Sequence, residues 1–276
     1  MQIEVIIEKK SHKLDAEEGK TILETLQEHG IHVLTAPCGG RGRCGKCTVE
    51  VEHMGEVLAC MTKVTDGMRI TIPKVQLRAQ KSKIAENGTV THYPADDGEG
   101  LDAACDIGTT TVVCHLIDGK TGEKLATVSE PSAQRSFGAD VLSRIQAAEA
   151  GKLEILKEQI IFQIAQMLRT LQKKTGRGEQ IQRLAVVGNT VMCHLFAGIS
   201  PVSIGVTPFM PQEFFGKEYT GEQLGLTDCR SVYIAPAVAG FVGGDITSDL
   251  LAVMQKKPKD KVLLLDIGTN GEMAVR

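Results

Sequence analysis

Apolar and polar residues alternate in short runs over the first 73 positions, a pattern that predicts strands. A period of two residues places every second side chain on the same face of a sheet. Strands are predicted over residues 3–8, 13–15 and 68–72, with a hairpin over residues 48–59 that turns at Met54–Gly55. Pro73 closes the last of these strands.

One helix is predicted among these strands, over residues 21–29. Ile22, Leu23 and Leu26 give it one apolar face, and Gly30 is suited to end it in a left-handed conformation. Strands arranged around a single packed helix predict a compact β-grasp unit, of α+β class, over residues 1–73.

Residues 74–100 have a different composition. They are mostly polar, contain few large apolar side chains and show no clear period. A stretch of this length is unusual inside one domain. We therefore predict a linker between two domains.

From residue 101 onward, strands and helices alternate, which predicts an α/β domain over residues 101–276. Strands are predicted over residues 101–106, 111–117, 183–187, 231–235 and 261–266, and helices over residues 138–150, 152–174, 190–196 and 245–255. The longest helix has an apolar stripe that is predicted to be core, made of Leu153, Leu156, Ile160, Ile164, Met167, Leu168 and Leu171.

Charge and composition argue against some classes of binding partner. The 276-residue chain has a net charge of −3 and a pI of about 6.2, which argues against nucleic acid or an anionic membrane as its main partner. No apolar run approaches the roughly 20 residues of a membrane-spanning helix, and the N-terminus lacks the features of a signal peptide. We expect a soluble, cytoplasmic protein in a reducing compartment.

Four cysteines have the spacing of a 2Fe–2S ligand set. Cys38, Cys44 and Cys47 share one glycine-rich run, and the predicted hairpin would return Cys60 to it. Plant-type ferredoxins hold their cluster with three thiolates from one loop and a fourth from a separate segment, in the pattern C-x4-C-x2-C…C. The first gap here is five residues, one longer. The sequence predicts an electron-transfer cluster on these four thiols.

The residues between these cysteines suit an anionic centre. Glycines permit positive φ, so that backbone N–H groups can approach sulfur, at Gly39, Gly40, Gly42 and Gly45. Positive charge is added by Arg41, Arg43 and Lys46. We expect both features to stabilise the reduced cluster and to set its potential.

Zinc and disulfides are the alternatives for these cysteines. A zinc site usually takes two close pairs of ligands, and here only Cys44 and Cys47 form such a pair. Disulfides are disfavoured by the expected reducing compartment. The other four cysteines lie singly in apolar segments and are predicted to be buried thiols, namely Cys105, Cys114, Cys193 and Cys229.

A second motif, Asp-Ile-Gly-Thr after an apolar strand, occurs twice. The two copies begin at Asp106 and Asp266, 160 residues apart, and predict two related halves. The turn offers backbone N–H and hydroxyl donors to phosphate oxygens, and the aspartate can hold Mg²⁺ directly or through water. The alternative is an ordinary hairpin with an aspartate capping its turn, which the repetition disfavours.

The paired motifs resemble the phosphate 1 and phosphate 2 loops of the ASKHA superfamily, which contains acetate kinase, sugar kinases, Hsp70 and actin. The matching residues are Asp106, Gly108, Thr109 and Thr110 in the first loop, and Asp266, Gly268, Thr269, Asn270 and Gly271 in the second. Residues 188–198 and 239–250 resemble one branch, the reductive activators of corrinoid proteins, which join a 2Fe–2S domain to an actin-like ATPase domain. The resemblance covers nearly all of the chain apart from the linker.

The resemblance implies a β-grasp ferredoxin domain over residues 1–73, a linker over 74–100, and an actin-like, ribonuclease H-like ATPase domain over 101–276. In the superfamily, the adenosine-binding glycines and most of the second half follow the phosphate 2 loop. We therefore expect a fragment, incomplete at the C-terminus, whose own ATP binding and hydrolysis are in doubt. Residues 74–100 are expected to replace a middle domain that some relatives carry.

The resemblance also implies a function, the ATP-dependent return of one electron to the Co(II) of a corrinoid protein in a methyltransferase system, which regenerates Co(I). The implied partners are that corrinoid protein and a low-potential electron donor, and a homodimer is one option for assembly. Asp106 and Asp266 are expected to organise Mg²⁺ and ATP. Gly188 and Asn189 are expected to join the phosphate loops in binding nucleotide.

Three polar residues have two interpretations each. Thr190 either positions a catalytic water or caps the helix that follows, and capping is favoured. Asp245 is predicted to be an N-cap rather than a catalytic base. His194 is predicted to be a satisfied histidine rather than a cobalt ligand, because no second ligand stands at metal-binding spacing.

Other functions remain open at this point. One is a 2Fe–2S electron-transfer protein whose actin-like part only docks a partner. Another is an ATP-dependent activator of a different low-potential metalloenzyme. A flavin-dependent oxygenase reductase is disfavoured, because no G-x-G-x-x-G follows a predicted strand.

Overall fold

The computed structural model of the chain describes residues 1–73, 93, 98–256, 261–268 and 271–275. Contacts divide the chain into two compact units, of which the first combines Met1–Lys83 with Ala133–Ala147 and the second combines Ile84–Ser132 with Ala148–Arg276. Most of the predicted linker lies outside the described residues. The predicted domain boundaries therefore stay a prediction.

The first unit contains a five-stranded sheet in the order β2-β1-β5-β3-β4. Its elements are β1 (Gln2–Ile7), β2 (Lys10–Asp15), α1 (Ile22–Glu28), β3 (Thr48–Val51), β4 (Gly55–Leu58) and β5 (Arg69–Thr71). The central pair, β1 and β5, is parallel, and the other pairs are antiparallel. The predicted β-grasp architecture is confirmed.

Helix α1 forms as its sequence predicts. Thr21 is its N-cap, and Thr21 and Glu24 form a reciprocal capping box that satisfies two backbone N–H groups. Ile22 and Leu26 have no exposed surface and pack in the core beneath the sheet. Burial of such side chains is the main force that holds α1 on the sheet.

The first unit also receives a segment from later in the chain, residues Ala133–Ala147. The segment contains a short 3₁₀ turn, Ala133–Ser136, and helix α2, Val141–Ala147. We predicted a helix over residues 138–150. The helix begins later, and helical geometry is interrupted at Gly151, where φ is 82°.

The second unit has a six-stranded sheet in the order β10-β11-β9-β6-β7-β8. The strands are β6 (Leu101–Ile107), β7 (Thr111–Asp118), β8 (Lys124–Pro131), β9 (Ile181–Val187), β10 (Lys217–Thr220) and β11 (Cys229–Ile234). Strands β6, β9 and β11 run parallel, whereas β7, β8 and β10 pair antiparallel. This arrangement fits the predicted actin-like α/β fold.

The second unit also contains helices. They are α3 (Leu153–Thr175), α4 (Thr190–Ala197), α5 (Gly221–Leu224) and α6 (Gly244–Gln255). Helix α3 packs against β7, β8 and α4 through the predicted stripe, whose members from Leu156 to Leu171 are buried while Leu153 is half-buried. A separate hairpin is formed by β12 (Leu263–Ile267) and β13 (Gly271–Val275). No helix in the described parts of the chain has both the length and the apolar character to cross a membrane.

Two of the four cysteines that we predicted to be separate thiols form a disulfide. Cys105 and Cys114 are direct partners across the β6–β7 hairpin, with their Cα atoms 4.2 Å apart. The prediction was wrong because the turn after Ile107 folds β7 back and makes the two cysteines neighbours. Cys193 and Cys229 are free and buried, as predicted.

Candidate functional site

The first candidate site is the loop that carries Cys38, Cys44 and Cys47, in the first unit. All four glycines of this loop take positive φ, between 64° and 82°, at Gly39, Gly40, Gly42 and Gly45. Only glycine adopts such angles without strain, so the sequence dictates the tight winding of this loop. The backbone of Cys47 then accepts a 2.9 Å hydrogen bond from the Ala59 N–H, which ties the loop to Cys60.

The loop points backbone N–H groups at sulfur. Burial raises the pKa of the Cys38 thiol, but hydrogen bonds from the backbone and thiol of Cys44 and from the N–H groups of Arg43 and Arg41 oppose it and bring that pKa down to about 6. The N–H of Lys46 donates to Cys44 Sγ at 3.5 Å. These donors favour a thiolate, the form that binds iron.

Cys47 and Cys60 are buried, and their side chains lie close to each other. Their sulfur atoms lie 3.3 Å apart, with the Cys47 thiol donating. Burial, followed by the hydrogen bond and charge of Cys47, raises the pKa of Cys60 to about 12. Two thiols this close can both be deprotonated only beside a positive centre. The structure thus pairs Cys47 with Cys60 and Cys38 with Cys44, and among the described residues no group of three or more such ligands stands close enough together to hold a metal ion. Thiolates are nevertheless the donors that hold a 2Fe–2S cluster, so the chemistry of these four side chains fits that group.

The second candidate site is a cavity of about 600 Å³ in the second unit. Its size is typical of sites for small organic ligands. The residues that line it are Asp106, Gly108, Thr109, Thr110, Thr111, Asn189, Asp245, Asp266, Ile267, Gly268 and Glu272. Both copies of the Asp-Ile-Gly-Thr motif thus contribute to one cavity, together with the start of α4 and of α6.

Carboxylates dominate this cavity. Burial, followed by the charges of Asp245, Asp249 and Asp266, raises the pKa of Asp106 to about 7. Burial and neighbouring carboxylates likewise raise the pKa of Asp245 and of Glu272. None of the described lining residues is a lysine or arginine. A divalent cation is the natural counter-charge for such a set.

Hydroxyl and amide groups face the same cavity. Asn189 is the N-cap of α4, where its side-chain oxygen accepts the Met192 N–H at 3.0 Å. The Asn189 amide nitrogen donates to Thr109 Oγ1 at 3.0 Å and so links α4 to the first loop. These groups can donate to phosphate oxygens while the carboxylates hold the cation.

The predicted nucleotide-site residues do not all line the cavity. Asp106, Gly108, Thr109, Thr110, Asn189, Asp266 and Gly268 do, whereas Gly188, Thr190 and Gly271 are not among the lining residues. Thr190 is fully buried, and its hydroxyl donates to the Ala239 carbonyl at 2.6 Å. Thr269 and Asn270 lie outside the described residues.

Three expectations about single residues are decided by the structure. Capping of α4 by Thr190 is wrong, because Asn189 occupies that position. Asp245 is not an N-cap either. Gly243 is the N-cap of α6, and Asp245 lies in the first turn and lines the cavity. His194 is a satisfied core histidine, as predicted, because its Nδ1 donates to the Thr190 carbonyl and its Nε2 accepts the Glu213 N–H.

Sequence reasoning missed the contribution of Asp245 and Glu272 to the cavity. A signal was present for Asp245, because Asp249 follows it by one helical turn and places a second carboxylate on the same side of α6. Glu272 follows the second loop directly on β13.

Family comparisons match both parts of the chain. Residues 101–257 match the family described as the RACo middle region, and residues 4–74 match a 2Fe-2S iron-sulfur cluster binding domain.

Two curated relatives are informative. The corrinoid activation enzyme RamQ of Eubacterium limosum is 28% identical, over 88% of this chain and 54% of that protein. The [Co(II) methylated amine-specific corrinoid protein] reductase of Methanosarcina barkeri is 27% identical, over 63% of this chain and 33% of that protein. The chain thus spans about half, or less, of the length of these relatives.

A solved structure shares the fold. The reductive activator for corrinoid, iron-sulfur protein superposes with a TM-score of 0.61 at 25% identity, over 99% of this chain and 61% of that one. With a family match that covers more than half of its residues, the chain belongs to the RACo middle region family and carries a 2Fe–2S cluster-binding domain ahead of that region.

Proposed function

We propose that this chain serves the ATP-dependent reductive activation of a corrinoid protein. In this reaction a 2Fe–2S cluster passes one electron to Co(II), and the resulting Co(I) can again accept a methyl group. The names of the curated relatives and of the similar solved structure support the corrinoid substrate. Because the chain spans only part of those proteins, the proposal concerns the complete protein.

The observation that carries the proposal is the cysteine loop. We assign the cluster to Cys38, Cys44, Cys47 and Cys60, because Cys38 and Cys44 form one hydrogen-bonded pair, Cys47 and Cys60 form another, and backbone N–H groups donate to their sulfur atoms. A bound cluster supplies reversible one-electron chemistry. The N–H groups of Arg41, Arg43 and Gly42 donate to the sulfur ligands and so stabilise the charge added on reduction.

The acidic cavity is assigned to Mg²⁺ and ATP. Asp106 and Asp266 would hold the cation, and Asp245 adds a carboxylate from the first turn of α6. Thr109, Thr110 and Asn189 would donate to the phosphate oxygens. ATP can bias electron transfer only if it binds two states of the complex with different affinity. Closure around the nucleotide is a common source of such a difference.

The proposed cluster also bears on the cellular compartment of the protein and on its electron donor. The four proposed ligand thiols are free, whereas Cys105 and Cys114 form a disulfide. We propose a cytoplasmic location because the ligand thiols must stay reduced to bind iron, and the disulfide is then an exception to the usual state of cysteines in that compartment. A low-potential electron donor is required to reload the cluster after each transfer.

The experiment uses a Co(II) corrinoid protein under anaerobic conditions. The reduced protein is added with or without Mg-ATP, and the cobalt state is followed by absorbance. We expect Co(I) to form in the presence of ATP, and we expect Cys44→Ser to abolish it while Cys229→Ser, at a buried free thiol, has no effect. A reducible cluster that never changes the cobalt state would contradict the corrinoid assignment.

A further inference from the structure

We propose that the segment Ala133–Ala147 completes the binding loop of the cluster and positions the first ligand, Cys38. This segment follows β8 in the chain, and its neighbours Ser132 and Ala148 belong to the second unit. It nevertheless belongs to the first unit. The inference rests on the proposed cluster and concerns residues that no ferredoxin-like spacing would reveal.

The segment contacts both neighbours of Cys38. The N–H of Ala139 donates to the carbonyl of Pro37, which precedes Cys38, at 3.3 Å. On the other side, a Cβ added to Gly39 would lie 3.5 Å from the Phe137 carbonyl oxygen and 3.9 Å from Ser143 Cβ. The segment therefore hydrogen-bonds the residue before Cys38 and lies close to the residue after it.

A third contact reaches the sulfur of Cys38 through one intervening residue, Arg41. The guanidinium of Arg41 donates to the side-chain oxygen of Gln146, at the end of α2. The backbone N–H of the same Arg41 donates to the Cys38 thiol. Gln146 thus holds the residue whose N–H bonds the ligand, which makes Gln146 a positioning residue for the cluster.

The segment is itself firmly anchored. Gln27, at the end of α1, is buried and donates from Nε2 to the Ser136 carbonyl at 3.0 Å. The guanidinium of Arg144 is fully buried and donates to Gln134 Oε1 at 3.3 Å and to the Gly138 carbonyl at 3.4 Å. Buried hydrogen bonds of this kind fix one geometry. The segment can therefore hold the cluster loop in a fixed position.

Two measurable properties follow. A loop held on both sides of Cys38 opens rarely, so iron should leave the cluster slowly. The segment also holds Arg41, whose N–H donates to Cys38 and stabilises the more negative, reduced cluster. Loosening the segment should weaken this hydrogen bond and so lower the midpoint potential.

The test compares variants of the full chain loaded with the cluster under anaerobic conditions. Gln146→Ala removes the acceptor for Arg41 at an exposed position, where folding is not at risk. Gln146→Glu retains an acceptor, and Gln166→Ala changes an exposed glutamine on α3 as a matched control. Iron release to a chelator is followed by absorbance, and the midpoint potential by titration with electron paramagnetic resonance.

We expect Gln146→Ala to release iron about fivefold faster, the effect of losing one hydrogen bond, and to shift the midpoint potential downward. Gln146→Glu should release iron at the wild-type rate, and Gln166→Ala should match wild type in both properties. If Gln146→Ala equals wild type in both, the inference is overturned while the proposed function stands. A wild-type chain that binds no iron would overturn both.

Discussion

The fold strongly changes the acidity of the Asp106 side chain. Asp106 lies at the end of β6 and remains open to solvent through the cavity, yet its pKa is raised to about 7 by burial and by the charges of Asp245, Asp249 and Asp266. A cation must therefore displace a proton from Asp106 below neutral pH. Cation binding at this site should depend on pH in the physiological range.

We predict that Mg²⁺ affinity, titrated calorimetrically with a bound nucleotide, falls about tenfold per pH unit below pH 7, as expected when one proton is displaced. Asp106→Asn should weaken binding at pH 8 by at least about tenfold and abolish this pH dependence. Asp15→Asn, at an exposed position on β2, serves as the control. A wild-type affinity that is constant from pH 5.5 to 8 would contradict the assignment of Asp106.

Asp106 also makes the metal-free chain less stable as pH rises. Because its folded pKa lies above the unfolded value of 3.8, its stabilising contribution is present below pH 3.8 and is lost as pH rises through about 7. The metal-free Asp106→Asn variant should therefore melt at a higher temperature than wild type at pH 8. Equal melting temperatures would indicate that solvent in the cavity screens the charge fully.

His194 should produce the opposite pH dependence. Burial lowers its pKa below 6.5, so its stabilising contribution is present above pH 6.5 and is lost as pH falls toward the folded pKa. His194→Leu leaves the Thr190 carbonyl and the Glu213 N–H without their partner and should cost about 1–3 kcal/mol per group. Urea unfolding at pH 7.5 and pH 5.5 measures both effects, and His12→Leu, at an exposed position, should change neither.

At the scale of elements, the buried strands and the long helix of the second unit were predictable, whereas the two edge strands of its six-stranded sheet were not. Strands β6, β9 and β11 have buried apolar side chains, and α3 carries a continuous stripe, so the sequence contains their period. Strand β8 is almost entirely half-buried and β10 mostly exposed. Weak burial leaves little pattern, so neither was predicted.

The junction between α4 and α6 depends on one glycine. A Cβ on Gly243 would lie 2.5 Å from Asn189 Cα and 2.5 Å from the Thr190 nitrogen. We predict that Gly243→Ala displaces the start of α6, costs about 1–3 kcal/mol of stability and weakens Mg-nucleotide binding. Gly178→Ala is the control, because nothing lies within 4 Å of a Cβ there. If Gly243→Ala binds nucleotide as tightly as wild type, the start of α6 can move away from α4 without disturbing the site, and this prediction is contradicted.

At the scale of the whole molecule, the sequence predicted both candidate sites but not which distant segments pack beside them. The four cysteines and the repeated aspartate motif are local signals, because spacing and residue type alone suggest their chemistry. The Cys105–Cys114 pairing and the addition of Ala133–Ala147 to the first unit depend on strand register and tertiary packing. Neither leaves a period or a motif in the sequence.

The two candidate sites are built from different units, so we predict that they can be disabled separately. Cys44→Ser should remove the cluster yet leave Mg-nucleotide affinity within about twofold of wild type. Asp106→Asn should lose nucleotide affinity yet retain the spectrum of the reduced cluster. Calorimetry and electron paramagnetic resonance on the two variants provide this comparison, and loss of both properties in either variant would contradict it.

The most direct measurement is an anaerobic reductive titration of the iron-loaded chain, followed by electron paramagnetic resonance. We predict two irons per chain and one electron per cluster, as a 2Fe–2S centre requires. The signal should be lost in Cys44→Ser and kept in Cys229→Ser. A chain that binds zinc in place of iron, or a cluster signal that survives Cys44→Ser unchanged, would contradict the assignment of the four thiols as an electron-transfer site.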